Sequence, residues 1–454
     1  MTFTRLRLTK CFVSLLMTVL SLTMFVSAQG KEKVLYSFQG GTNDGEYPAG
    51  GVVFDKAGNL YGATTDGGGE CPPAQCGTVF QLAPPAQKGD PWTETVLYVF
   101  KGNSSGDGNT PAGSVIIDSA GNLYGTTGYG GTGDCVLLGT KVGCGTVYEL
   151  SPPAQKGGAW TETVLYSFPT AKQGYLPNGN LVFDSLGNLY GATMFGGGYG
   201  TTCDAFYQYC GAVFELSLPK KKGGKWTEKV LHSFRGIAAG ADFGDGANPI
   251  GGFALDSTGA IYGATSIGGL NCPHSSNQGC GTVFKLAPPG GKGQAWTEQM
   301  LIRFNPASSG AAEPSSGVIL DKSGNLYSTT VGGGKYGEGT VFKLAPHRAG
   351  TWKEEVLYSF HGQNDGANPQ GGVVLDARGT MYGTSEGGMI FSLRYVGGSW
   401  VFALVYDFKK APDGWHLTGP LVFDASGSLF GTTQWGGTGQ SCQGGCGTVY
   451  TAAP

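Results

Sequence analysis

Apolar residues alternate with polar or small ones in short runs along the whole chain, and the same four runs return in the same order. In the first unit they are Gly51–Asp55, Leu60–Thr65, Gly77–Ala83 and Trp92–Phe100. Alternation with period two is the pattern of a half-buried strand. Between the runs lie Lys56-Ala57-Gly58-Asn59, a Gly-rich loop of variable length, and Pro84-Pro85-Ala86-Gln87-Lys88-Gly89. Gly clusters and Pro pairs do not continue a strand ladder, so they mark turns and loops. Each unit thus predicts four short antiparallel strands, the blade of a β-propeller.

The unit is built around Asp-x-x-Gly-Asn-Leu-Tyr-Gly-Ala/Thr-Thr. With small variations this motif begins at Asp55, Asp118, Asp184, Asp256, Asp321, Asp376 and Asp424. A unit of roughly 60 residues cannot bury its own face, so such repeats stack into an array, solenoid or propeller. The ends favour a propeller. The seventh unit finishes its third strand at Gly447-Thr448-Val449-Tyr450, and Lys33-Val34-Leu35-Tyr36-Ser37-Phe38 matches the fourth strand of another unit, Thr163–Phe168. Pairing the first strand with the last three closes a ring and removes the open sheet edges. The expected fold is an all-β, seven-bladed β-propeller of four-stranded blades, closed by the N-terminal strand completing the last blade. It forms a single domain over residues 29–454.

Composition fits this reading only because the glycine is periodic. The 454 residues include 83 Gly and 23 Pro, with 13% charged and 40% hydrophobic. Without a period, Gly and Pro at this level would border on low complexity. Glycine in a helix interior costs about 1 kcal/mol relative to Ala, which rules out a helical architecture.

Gly121-Asn122-Leu123-Tyr124-Gly125-Thr126-Thr127, followed by Gly130-Gly131 and then by a Gly-Thr-Val-Phe-x-Leu strand as at Gly77–Leu82, resembles the GloVer (Gloeo/Verruco) tandem repeat of secreted bacterial proteins. The resemblance runs through nearly all of the chain after residue 28. It implies export and a propeller-like repeat, and it carries over no catalytic residue.

Residues 1–28 read as a secretory signal peptide. Arg5, Arg7 and Lys10 precede an apolar run from Cys11 to Val26, and Val26-Ser27-Ala28 is a small-residue cleavage site. The run is too short for a membrane span. The expected location is secreted or periplasmic, as a monomer with no membrane span after cleavage. Removing the basic leader makes a chain of formal charge −3 more acidic still, a poor match to nucleic acid. Ten cysteines follow the leader in five local pairs: Cys71/Cys76, Cys135/Cys144, Cys203/Cys210, Cys272/Cys280 and Cys442/Cys446. Every pair lies in a loop between second and third strands, and the fifth and sixth units lack both members. Loss in pairs points to one disulfide per loop, as an oxidising compartment permits. The unequal spacings fit no zinc site.

Candidate chemistry lies on the face that carries these loops and the connections between blades, because both vary from unit to unit on a fixed scaffold. The second-to-third strand loops are shortest in units five and six, so an open groove is expected on that side. The connections carry Asp-Gly-x-x-Pro at Asp44, Asp107, Asp245 and Asp365, with a variant without Pro at Asp413. A ring of carboxylates could hold a cation or sugar hydroxyls. Turn chemistry alone also requires Asp-Gly and Pro at these places. Six tryptophans open the fourth strand of their units and read as packing between or within blades. Trp415 and Trp435 break that register. Trp435 stands where other units place Asp66, Tyr129, Phe195 or Ile267. Aromatic groups such as Tyr129, Trp415 and Trp435 suit stacking on sugars or peptide side chains, and they equally suit filling space near the closing blade. Gly102-Asn103-Ser104-Ser105-Gly106 matches a nucleophile elbow in letters, without the helix that motif needs. The five histidines show no metal spacing, so neither a metal nor a cofactor is expected. The leading expectation is an exported protein that binds a carbohydrate, peptide or protein through its variable face. The alternative is a carbohydrate-active hydrolase or lyase with carboxylates at the central channel.

Overall fold

The computed structural model describes residues 32–454 apart from 70–75, 198–209, 222, 237–243, 271, 273–278, 292–293, 306–309 and 418. The expected leader and residues Cys71 and Cys203 fall outside the described residues.

Seven antiparallel sheets form the blades of a propeller. Blade three shows the plan: Tyr175–Phe183, Leu189–Phe195, Ala212–Ser217 and Thr227–Ser233 lie side by side in chain order. The first strand of each blade faces the axis, and those of blades two, three and four lie against their counterparts in the neighbouring blades. In blades one and five it is split, as Gly45–Pro48 with Val53–Phe54 and as Ala311–Pro314 with Ile319–Leu320. In blades two, three and four it bulges, as between Asn178 and Val182, and in blades six and seven it is the short Val373–Leu375 and Val422–Phe423. Ring closure is as expected: Glu32–Ser37 pairs antiparallel with Thr448–Ala452, from Glu32 opposite Ala452 to Ser37 opposite Thr448. No helix among the described residues is long and apolar enough to cross a membrane.

The repeated motif explains the first hairpin of each blade. Asp55 Oδ1 accepts hydrogen bonds from the backbone N–H groups of Ala57 (2.8 Å) and Asn59 (2.9 Å). Its Oδ2 accepts from Asn59 Nδ2 (2.7 Å) and the Tyr61 hydroxyl (3.0 Å). Gly58 supplies φ +87° in open space, so its role is backbone freedom. Gly62 is Gly for another reason. A Cβ there would stand 2.5 Å from the Phe80 ring, which lies across the hairpin.

Packing between blades closes the ring. The Phe ending each outer strand meets the third-strand aromatic of the next blade edge-on: Phe38 with Phe80 at 5.0 Å, Phe168 with Phe214 at 5.2 Å, Phe408 with Tyr450 at 4.8 Å. All seven junctions carry this contact. Edge-to-face pairs contribute about 0.5–1.5 kcal/mol each beyond the area they bury. The regular tryptophans also pack between blades, as Trp160 on Tyr61 (6.1 Å) and Trp352 on Tyr262 (6.2 Å).

Candidate functional site

The connection between blades starts at the end of an outer strand and enters the next inner strand through the Asp-Gly turn. The Asp oxygens are taken up by that connection. Asp44 accepts hydrogen bonds from the Tyr36 hydroxyl (2.9 Å) and from the N–H groups of Gln39 and Gly45 (2.7 Å each). Asp107 has the same partners in Tyr98 (2.8 Å) and Lys101 N–H (2.9 Å), and Asp413 in Tyr406 (3.0 Å) and Lys409 N–H (2.9 Å). Asp365 accepts from Tyr358 (2.7 Å) and lies 2.6 Å from His361 Nδ1. Asp245 faces His232 Nε2 and Arg235 Nε at 3.2 Å each. Burial pulls Asp245 and Asp365 upward, but these hydrogen bonds and nearby positive charge outweigh it and hold both below the usual carboxylate range. None of the five lines the axial cavity.

A glutamate of the neighbouring outer strand faces several of these aspartates. Burial, with Asp44 adding to it, pushes Glu94 up to about 8. Burial and Asp107 push Glu162 up to about 7, and burial and Asp413 do the same for Glu32. One oxygen of each is buried without a hydrogen bond. The strongly shifted acids therefore sit in the blade junctions, and none of them lines the axial cavity.

Immediately before the Pro of each connection, or before Leu417 in blade seven, every blade holds a non-glycine residue in the left-handed region: Tyr47, Thr110, Leu176, Asn248, Glu313, Asn368 and His416, with φ between +48° and +62°. Such a backbone costs roughly 1–3 kcal/mol and persists only where surroundings impose it. Here the imposing contact comes from the preceding blade. Tyr47 N–H donates to the Cys446 carbonyl (2.9 Å), Asn248 to Cys210 (2.8 Å), and Glu313 to Cys280 (2.7 Å). The Pro that follows then lies on the Gly after that cysteine: a Cβ on Gly211 would be 2.4 Å from Pro249 Cδ. The disulfides fix the other side of this joint. Cys135–Cys144, Cys272–Cys280 and Cys442–Cys446 are bonded as expected. Cys76 and Cys210 are disulfide-bonded too, and the pairings expected with Cys71 and Cys203 lie outside the described residues. The joint thus presents variable side chains at a fixed place. The sequence signal that could have revealed it is the changing residue before a fixed Pro.

At blade seven the joint differs, and the two irregular tryptophans meet there. Trp415 and Trp435 face each other across an isolated antiparallel bridge with ring centroids 4.4 Å apart. His416 stacks on Trp435 at 4.5 Å. His416 Nε2 lies 3.5 Å from Glu386 Oε1, and Glu386 Oε2 accepts from Asn368 Nδ2 (3.2 Å). Lys410 Nζ stands 5.8 Å over the Trp415 ring. Both indoles are half-buried. Glu386 belongs to the turn between Met381–Ser385 and Met389–Val396, the shortest second-to-third strand connection in the ring. The connection over blade five, between Leu326–Gly333 and Thr340–Pro346, is the next shortest. Tyr129 lies elsewhere. Its ring is 6.2 Å from Tyr175, itself 6.2 Å from Phe195, in blades two and three. The Gly102–Gly106 match forms a short 3-10 turn and no strand-to-helix elbow. Among the described residues, no three His, Cys, Asp or Glu side chains converge on a metal position.

The Gloeobacter/Verrucomicrobia repeat profile matches residues 18–272 and 271–454. The chain belongs to this repeat family. No curated protein matches it in sequence. The chain is also similar to several solved structures. A fungal alcohol oxidase of the AA5 family in complex with copper superposes with TM-score 0.53 at 13% identity, over 94% of this chain and 77% of that one. PhoX from Pseudomonas fluorescens, in complex with vanadate, gives 0.47 at 9% identity over 94% and 95%. The PQQ-bound aldose sugar dehydrogenase from Streptomyces coelicolor gives 0.42 at 15% over 94% and 98%. At such identities the likeness concerns the fold alone.

Proposed function

We propose that this repeat-family propeller is an exported glycan-binding protein, and that its binding patch is the Trp415/Trp435 pair with His416, Glu386, Asn368 and Lys410. The observation that carries the reading is the indole pair beside the shortest loop of the ring. Two half-buried aromatic faces offer apolar stacking area. Next to them stand a carboxylate, an amide, an imidazole and an ammonium, which suit sugar hydroxyls. The strained, blade-specific backbone at His416 holds part of this set in place, as expected where a rigid scaffold positions binding groups. Binding is favoured over hydrolysis because the upward-shifted glutamates belong to the blade junctions. A hydrolase needs a carboxyl pair at the reacting bond.

A glycan and peptide array on residues 29–454 tests the reading. A glycan hit is expected, with Trp415→Ala and Trp435→Ala each weakening it about tenfold or more, the scale of roughly 1.4 kcal/mol or above. Glu386→Gln should weaken it less. The same far-ultraviolet circular dichroism in all variants guards against misfolding. Peptide-only binding, or glycan binding untouched by both tryptophan changes, would overturn the assignment.

A further inference from the structure

The inner strands carry a second regular pattern. After each Pro, or after Leu417 in blade seven, one variable residue is followed by Gly or Ser: Gly50, Gly113, Gly179, Gly251, Ser316, Gly371 and Gly419. At these positions the blades touch backbone to backbone. A Cβ on Gly251 would stand 2.4 Å from the Asn178 carbonyl oxygen, one on Gly371 2.5 Å from that of Gly419, and one on Gly419 2.3 Å from Gly51 N. The glycines let seven strands approach the axis, and around this waist lies a cavity of about 360 Å³.

The lining of that cavity is selective. It contains no Asp, Glu, Lys, Arg or His. An ion seated there would lose part of its hydration and meet no counter-charge in the lining, which costs more than seating a neutral polar group. The variable positions are small in blade one, with Ala49, and carry amides in blades three and six, with Asn178 and Gln370. Neither side-chain amide hydrogen-bonds to another of the described residues, whereas Asn180 Oδ1 accepts from Ser114 N–H (2.7 Å) and Ser315 donates to the Pro369 carbonyl (2.5 Å). Val318 and Val373 supply an aliphatic wall. A purely apolar occupant would leave the two amides unpaired. An occupant with hydroxyls on some sides and C–H groups on others satisfies both surfaces. The volume stands at the lower end of small-molecule sites, about 300–1,000 Å³.

We infer that the axial cavity is a binding site for an uncharged polyhydroxylated molecule of monosaccharide size. The inference goes beyond the glycan patch of blade seven and stands on the cavity alone. Calorimetric titration of residues 29–454 with myo-inositol, glucose and galactose, alongside glucuronate and glucosamine, tests it. At least one neutral probe should bind, and the two charged probes about tenfold more weakly or not at all. Asn178→Ala and Gln370→Ala should each weaken the neutral probe about fivefold or more. Both variants should fold, because Ala49 and Ala112 occupy the same position in blades one and two. Trp415→Ala should leave this binding unchanged, which separates the cavity from the blade-seven patch. Absence of binding by all three neutral probes, equal binding of charged ones, or indifference to both amide changes would each overturn the inference.

Discussion

One residue type does two jobs in five of the seven blades, and its partners distinguish them. Asp55 and its counterparts cap the hairpin between first and second strands with bonds that begin and end within the motif. Asp107 and its counterparts reach back across a connection to a Tyr on the preceding outer strand, or to His232 in the case of Asp245. Replacing Asp107 with Ala leaves the Tyr98 hydroxyl and the N–H groups of Lys101 and Gly108 without their acceptor in a part-buried joint. Each such loss costs roughly 1–3 kcal/mol. Relief of the like charge on Glu162 returns part of this. A net destabilisation of about 2–3 kcal/mol is expected from urea unfolding. Asp107→Asn should cost less, because its side-chain oxygen still accepts. A wild-type midpoint in the Ala variant would mean that the carboxylate is not structural.

Elements were the most legible level of the sequence. Turn residues at fixed offsets, period-two alternation and complementary ends led to the four strands, the seven blades and the closing pair. Each of these signals is local or repeated. The left-handed residues were not legible, because a residue before Pro normally favours extended backbone. At Asn248 that preference yields to a hydrogen bond with Cys210 in another blade. The site was legible in the same uneven way. Trp415 and Trp435 stood out by breaking register, but His416 and Glu386 became visible beside them only through a bridge and a junction between blades. Closure is the element most open to test. Deleting residues 29–38 exposes the edge Thr448–Ala452 and removes Phe38 from its contact with Phe80. An open edge with unpaired N–H and C=O groups invites association. The truncated chain should therefore lose a single cooperative melt and aggregate on size-exclusion chromatography. Added peptide of sequence 29–38 should restore the monomer peak. A monomeric truncation with an unchanged melt would show that closure lies elsewhere.

Across the whole molecule the junctions form a distributed titration system. Burial is the main cause that raises Glu32, Glu94 and Glu162, to about 7, 8 and 7, and it also raises Glu228, Glu298 and Glu354. An unfolded glutamate titrates near 4.3, so between that value and about 8 the folded ring binds more protons than the unfolded chain. The associated stability is complete below the unfolded value and is lost as pH rises through 7 to 8. Asp245 and Asp365, held low, act oppositely and lose their contribution only as pH falls below the unfolded carboxylate range. Maximum stability is therefore expected near pH 5, with a melting temperature that declines toward pH 8.5. These glutamates are part-exposed, and solvent screening reduces each contribution to the order of 1 kcal/mol. Because similar groups recur around the ring, the decline should be spread over several junctions. Glu94→Gln with Glu162→Gln removes two of the strongest. The double variant should melt higher than wild type at pH 8, match it more closely at pH 5, and show a shallower slope between. A melting temperature that climbs from pH 5 to 8.5, or an unchanged slope in the double variant, would remove the junction glutamates as the cause and place the pH response in the exposed loops.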